Sequence, residues 1–73
     1  MISSLEKFGE FVRHQRLQKG WTQLELSMKA FDSPRYEFIG RLERGRLSGL
    51  TFSTADRIML ALGSELEFRE YER

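Results

Sequence analysis

Apolar residues recur along this chain at helical spacing, in four blocks separated by short polar breaks. Leu5, Phe8 and Val12 fall on one face of the first block, with Phe11 beside them. Leu26 and Ala30 mark the inner face of the second, and Phe38, Ile39 and Leu42 that of the third. Ala55, Ile58, Met59 and Leu62 do the same in the fourth. Trp21 falls between the first two blocks, where it can cap the core. The block edges carry start signals. "SSLE" at 3–6, "TQLE" at 22–25 and "STAD" at 53–56 each set a hydroxyl three residues before a carboxylate. At that spacing the hydroxyl accepts from an orphan N–H while the carboxylate reaches back to the cap. "SP" at 33–34 is a different start, with Ser33 as N-cap and Pro34 at the first helical position, where its missing N–H costs nothing. Gly20, Gly45 and Gly63 follow the runs as left-handed C-cap residues would. The pattern predicts helices over about 4–19, 23–31, 34–44 and 54–62.

The period changes near the end. In "SELEFREY", Leu66 and Phe68 alternate with Glu65, Glu67 and Arg69, which predicts a short strand over about 65–70. A lone strand has nothing to pair with in a helical chain, and unpaired edges are a liability. Pairing with the same strand of a second copy would place Leu66 and Phe68 in a two-fold dimer interface. A frayed helix or loose tail is the other reading of the segment.

Composition narrows the picture. Seventy-three residues make one domain, 1–73, because domains cluster near ~100–150 residues and so short a chain buries a thin core. Small cores are often stapled. With no cysteine there is neither a disulfide nor a thiolate metal site, which leaves oligomerisation and leads to the expectation of a homodimer. The lack of cysteine also fits a reducing, cytoplasmic compartment. No apolar run approaches the ~20 residues that span a membrane, and no charged-then-apolar signal segment opens the chain.

Net charge is only +1 but is unevenly spread. Residues 1–46 carry nine Lys and Arg against six acids, and residues 47–73 carry three arginines against five acids. A basic front suits an anionic partner, although charge alone does not separate this from ordinary surface scatter. Catalysis is not expected. His14, the single histidine, falls on the outer side of the first helix, with no metal-spaced cluster and no Gly-rich phosphate loop to accompany it. No cofactor is implied.

A short helix, a tight turn and a second helix in a basic half form the outline of a helix-turn-helix. "FGEFVRHQRLQKGWTQLELS", followed by "IGRLERG" and "ADRIMLALG", resembles the Cro/repressor-type (Xre) helix-turn-helix family. The likeness covers about residues 8 to 63. It implies an all-α, lambda-repressor-like four-helix DNA-binding domain, here with the added C-terminal strand. Arg16 and Glu43 match that family's internal ion pair between helix 1 and the end of helix 3. Gln23, at the start of helix 2, matches a phosphate contact, although a plain solvent-facing glutamine also fits. Tyr36, Glu37 and Arg41 match base-facing positions, with Gly40 near the groove floor. Arg41 can donate two bonds to guanine, Glu37 can accept from cytosine, and Tyr36 can bond or pack on a thymine methyl. Solvated surface positions suit Tyr36 and Glu37 equally well. Arg35, Arg44 and Arg46 are assigned to the phosphate backbone. The chain departs from the pattern in three places, one of them the slightly long loop "RLSGLTF" after Gly45. Ser27 stands where a small alanine is usual, and the turn at 30–34 is longer, with Phe31 near the usual glycine. Asp32 would take a positive φ there at less cost than Phe31.

The resemblance implies a sequence-specific double-stranded-DNA-binding transcriptional regulator, a homodimer that represses by occupying a palindromic operator. The ending also looks like the HipB-type antitoxin subgroup, which implies autoregulation and a toxin partner. The alternative is a protein–protein interaction module that keeps the fold without DNA binding.

Overall fold

A computed structural model of the protein describes residues 4–63. Among these, four helices follow one another: α1, Ser4–Gln18; α2, Gln23–Phe31; α3, Tyr36–Glu43; and α4, Phe52–Ala61. The chain is all-helical over this range, with no strand among the described residues. The expected cap at Ser3 and the expected strand at 65–70, with Leu66 and Phe68, lie outside the described residues. Among the described residues, no helix is long and apolar enough to cross a membrane.

The punctuation of α1 and α2 follows the sequence closely. Gly20 has φ 73°, and around it the Gly20 N–H donates to the Leu17 carbonyl at 3.0 Å and the Trp21 N–H to the Arg16 carbonyl at 3.1 Å. These are the paired bonds of a Schellman stop. Gly45 ends α3 in the same way, through bonds to the Leu42 and Arg41 carbonyls. At the start of α2 both halves of the capping box form: the Glu25 N–H donates to the Thr22 hydroxyl at 3.0 Å, and the Thr22 N–H donates to the Glu25 carboxylate at 2.7 Å. Asp32 is the C-cap of α2, left-handed at φ 55°, so the chain reverses on the aspartate and leaves Phe31 helical.

Two helix starts differ from the sequence reading. α3 begins at Tyr36 and not at Pro34; its N-cap, Arg35, has no side-chain cap bond. The Arg35 N–H is already held by the Ser33 carbonyl at 2.8 Å and by the Ser27 hydroxyl at 3.1 Å, so Ser33 and Pro34 belong to the turn. The buried Ser27 hydroxyl also donates to the Leu24 carbonyl. The Ser27 hydroxyl therefore helps tie α2 to the entry of α3. α4 begins two residues before the "STAD" signal. Thr51 is its N-cap, accepting from the Thr54 N–H at 3.2 Å, and it adds backbone bonds to the helix that a cap at Ser53 would forgo.

Val12, Leu26, Ile39, Leu42 and Ile58 are completely buried, and Ala30, Met59 and Leu62 join them. Phe8, Trp21, Phe31 and Phe38 pack around this centre, whereas Phe11 turns outward. α1 crosses α3 at Gly9, where a Cβ would drive into the Leu42 carbonyl oxygen. Glycine alone allows that approach, and the approach brings Arg16, on the following turns of α1, within reach of the end of α3.

Candidate functional site

The last turn of α1 and the end of α3 meet through one charged pair. Arg16 Nε donates to Glu43 Oε2 at 2.7 Å and Arg16 Nη2 to Glu43 Oε1 at 3.0 Å. This is the fork-on-carboxylate geometry that makes arginine pairs directional. The side chains are 9% and 2% exposed. Arg16 Nη1 donates to the Trp21 carbonyl at 2.7 Å, so the guanidinium also fixes the chain between α1 and α2. No buried side-chain nitrogen or oxygen is left without a partner among the described residues. The helix dipole favours Arg16 at the C-terminus of α1 and disfavours Glu43 at the C-terminus of α3, so Glu43 depends on its donors.

Gln23 is one of those donors. Its Nε2 reaches Glu43 Oε1 at 3.2 Å, which ties the first residue of α2 to the interior pair. Beyond it lies an open cleft of about 360 Å³ bounded by Gln23, Tyr36, Glu37, Gly40, Arg41 and Arg44. The five α3-side residues recur at one-turn spacing and so share a face. Gly40 is buried at the floor, and a Cβ there would lie 3.3 Å from both Gln23 Oε1 and Arg44 Nη1. Tyr36, Glu37, Arg41 and Arg44 are exposed. Glu37, Arg41 and Arg44 have no ion-pair partner among the described residues, so their charge faces outward.

Two arginines assigned to the phosphate backbone from the sequence, Arg35 and Arg46, do not line this cleft. Arg35 packs its guanidinium 4.9 Å from the Phe31 ring centre and 5.0 Å from that of Phe38. Those rings meet edge-on at 5.6 Å, and Arg57 of α4 approaches Phe31 from 5.4 Å. This cationic–aromatic cluster, which the sequence reading missed, occupies Arg35 with the turn. Arg46 is exposed beyond Gly45, outside the cleft. Trp21 carries a second such cluster, with Lys29 Nζ at 4.7 Å and Lys19 Nζ at 5.5 Å from its ring. His14 is exposed, and no group of three or more His, Cys, Asp or Glu side chains that could hold a metal ion occurs among the described residues.

Compared with known protein families, with curated proteins and with solved structures, the chain gives no match.

Proposed function

We propose that the protein is a sequence-specific double-stranded-DNA-binding transcriptional regulator, with α2 and α3 as its helix-turn-helix and α3 as the helix that enters the major groove. One observation carries the reading. The α3 face and the start of α2 form a single cleft that presents two unpaired guanidinium groups, one carboxylate, a phenol and an amide over a glycine floor. Arginine donors, a carboxylate acceptor and a tyrosine are the chemistry that distinguishes base-pair edges, and a floor without a side chain lets a backbone approach a groove. In this reading Arg41, Glu37 and Tyr36 face the bases. Arg44 and Gln23 border the strand backbone, with Arg46 beyond them. The copies act as a homodimer on a palindrome with half-sites one helical turn apart, ~34 Å, and repress by occupying a promoter. A toxin partner would bind away from this face.

Selection of bound duplexes from a random pool tests the proposal, because it yields both the site and its symmetry. Affinity for the selected duplex should fall with salt at a log–log slope of about −0.9 per phosphate contact. If no duplex is bound at low salt, the interaction-module alternative replaces it, and the exposed Leu24 and Met28 become the first surface to examine.

A further inference from the structure

Beside the charged cleft lies a second recess of about 510 Å³, bounded by Arg16, Thr22, Gln23, Leu24 and Tyr36. The two share Gln23 and Tyr36, so they open on one continuous surface. Their chemistry differs, because three of the polar side chains around the second recess already hold a partner inside the protein. The Arg16 guanidinium is held by Glu43 and the Trp21 carbonyl. The Thr22 hydroxyl accepts from the Glu25 N–H, and the Gln23 amide donates to Glu43. The apolar groups it offers a ligand are the side chain of Leu24, a residue 44% exposed, and the ring of Tyr36, a residue 50% exposed.

We infer that Leu24, on α2, is a specificity residue that seats, with the Tyr36 ring, the C5 methyl group of a thymine in the bound duplex. The inference rests on the duplex reading above. Its occupant follows from the neighbouring charge: Arg41 and Arg44 call for a polyanion in the adjoining cleft, and the apolar group that a major-groove edge offers is the thymine methyl. The polar groups on that edge are hydrogen-bond donors or acceptors and would lose their water against Leu24 without gaining a partner, and the C5–H of cytosine lacks the methyl that would fill the recess. Discrimination therefore comes from both helices, with Arg41 and Glu37 reading polar edges from α3 and Leu24 reading a methyl from α2.

The test uses the full chain and the duplex selected from the random pool. Each thymine is replaced in turn by deoxyuridine, which removes the methyl and leaves the pairing edge intact. At one thymine per half-site, affinity should fall about fourfold per methyl, the factor that corresponds to ~0.8 kcal/mol per buried carbon at ~1.4 kcal/mol per tenfold. Leu24→Ala, truncated at a half-exposed position and checked for helicity, should bind the thymine duplex more weakly and the two duplexes alike. A selected site without thymine, indifference to every replacement, or a Leu24→Ala chain that keeps the full preference for thymine overturns this inference alone. Failure to select any duplex overturns the duplex reading and this inference with it.

Discussion

Replacing Arg16 by alanine tests the interior that supports the cleft. The substitution removes both donors to Glu43 from Arg16 and the donor to the Trp21 carbonyl. Glu43 Oε2 is then left with no donor, and Oε1 keeps only the Gln23 amide. The carboxylate side chain is 2% exposed, so water cannot reach it without the helices parting. Breaking a buried pair from one side costs about 3–5 kcal/mol, which corresponds to a fall of roughly 12–40 °C in Tm for a domain of this size. Glu43→Ala should cost less, because the long Arg16 stem lets the guanidinium move toward solvent. Replacing both residues by alanine removes the two charges together and should cost less than the sum of the single changes, since no buried charge is then left unpaired. Urea unfolding followed by helical circular dichroism supplies all four corners of this cycle. An Arg16→Ala loss below about 1 kcal/mol, the range of exposed ion pairs, would refute the burial argument. So would single costs that simply add in the double variant, because the pair would then carry no coupling.

Gly9→Ala should destabilise by about 1–3 kcal/mol in the same unfolding assay, because the new methyl meets the Leu42 carbonyl and overpacking exceeds the gain in helix propensity; a stabilised variant would show that α1 and α3 do not approach so closely. Ser27→Ala should cost about 1 kcal/mol, the worth of the bond from the Arg35 N–H to a buried hydroxyl, and a variant as stable as the parent would make the Ser33 carbonyl a sufficient acceptor. On duplexes, Arg41→Ala should lose ~1–3 kcal/mol at particular base pairs, whereas Arg46→Ala should weaken all sequences alike and flatten the salt slope; uniform loss from Arg41→Ala would remove it from the reading set. Removal of residues 65–73 should convert dimers to monomers in sedimentation, and an unchanged dimer would refute the pairing of Leu66 and Phe68 across two copies.

Local signals in the sequence carried far where one residue decides the conformation. Gly20, Gly45 and Gly63 all have positive φ, and the Thr22–Glu25 box closes as spaced. Such features depend on a few neighbouring atoms, so a short window contains their cause. The start of α3 was not legible in this way. "SP" is a sound helix signal by itself, but the deciding acceptor, the Ser27 hydroxyl, comes from the helix before. Tertiary contact outweighed local preference there. At α4 two threonine or serine caps competed two residues apart, and the earlier one completes more of the helix. The packing of Arg35 on Phe31 and Phe38 was hidden for the same reason: charge patterning counts a cation without showing which aromatic rings the turn brings beneath it.

The cleft itself was legible as a set of residues but not as an arrangement. The resemblance offers Tyr36, Glu37, Gly40 and Arg41 as one face and Gln23 and Arg44 as phosphate contacts, yet nothing local shows that Gln23, on another helix, borders the same cleft. The structure supplies the connection through Glu43 Oε1, the oxygen that receives both Arg16 Nη2 and Gln23 Nε2. One amide hydrogen of Gln23 is thereby committed to the interior, and its carbonyl oxygen lies over Gly40. Gln23 is therefore not a free side chain that adapts to whatever arrives, because its orientation is set by an ion pair that aligns α1 with α3. A change at Arg16 should act on the cleft as well as on stability, and it should do so through Gln23. Glu43→Gln separates the two effects, since it keeps the volume and an acceptor for Arg16 but lets the amide pair reorganise. If that variant folds normally and its duplex affinity is unchanged, the orientation of Gln23 is set by Gly40 and its own helix, and the interior pair serves the fold alone.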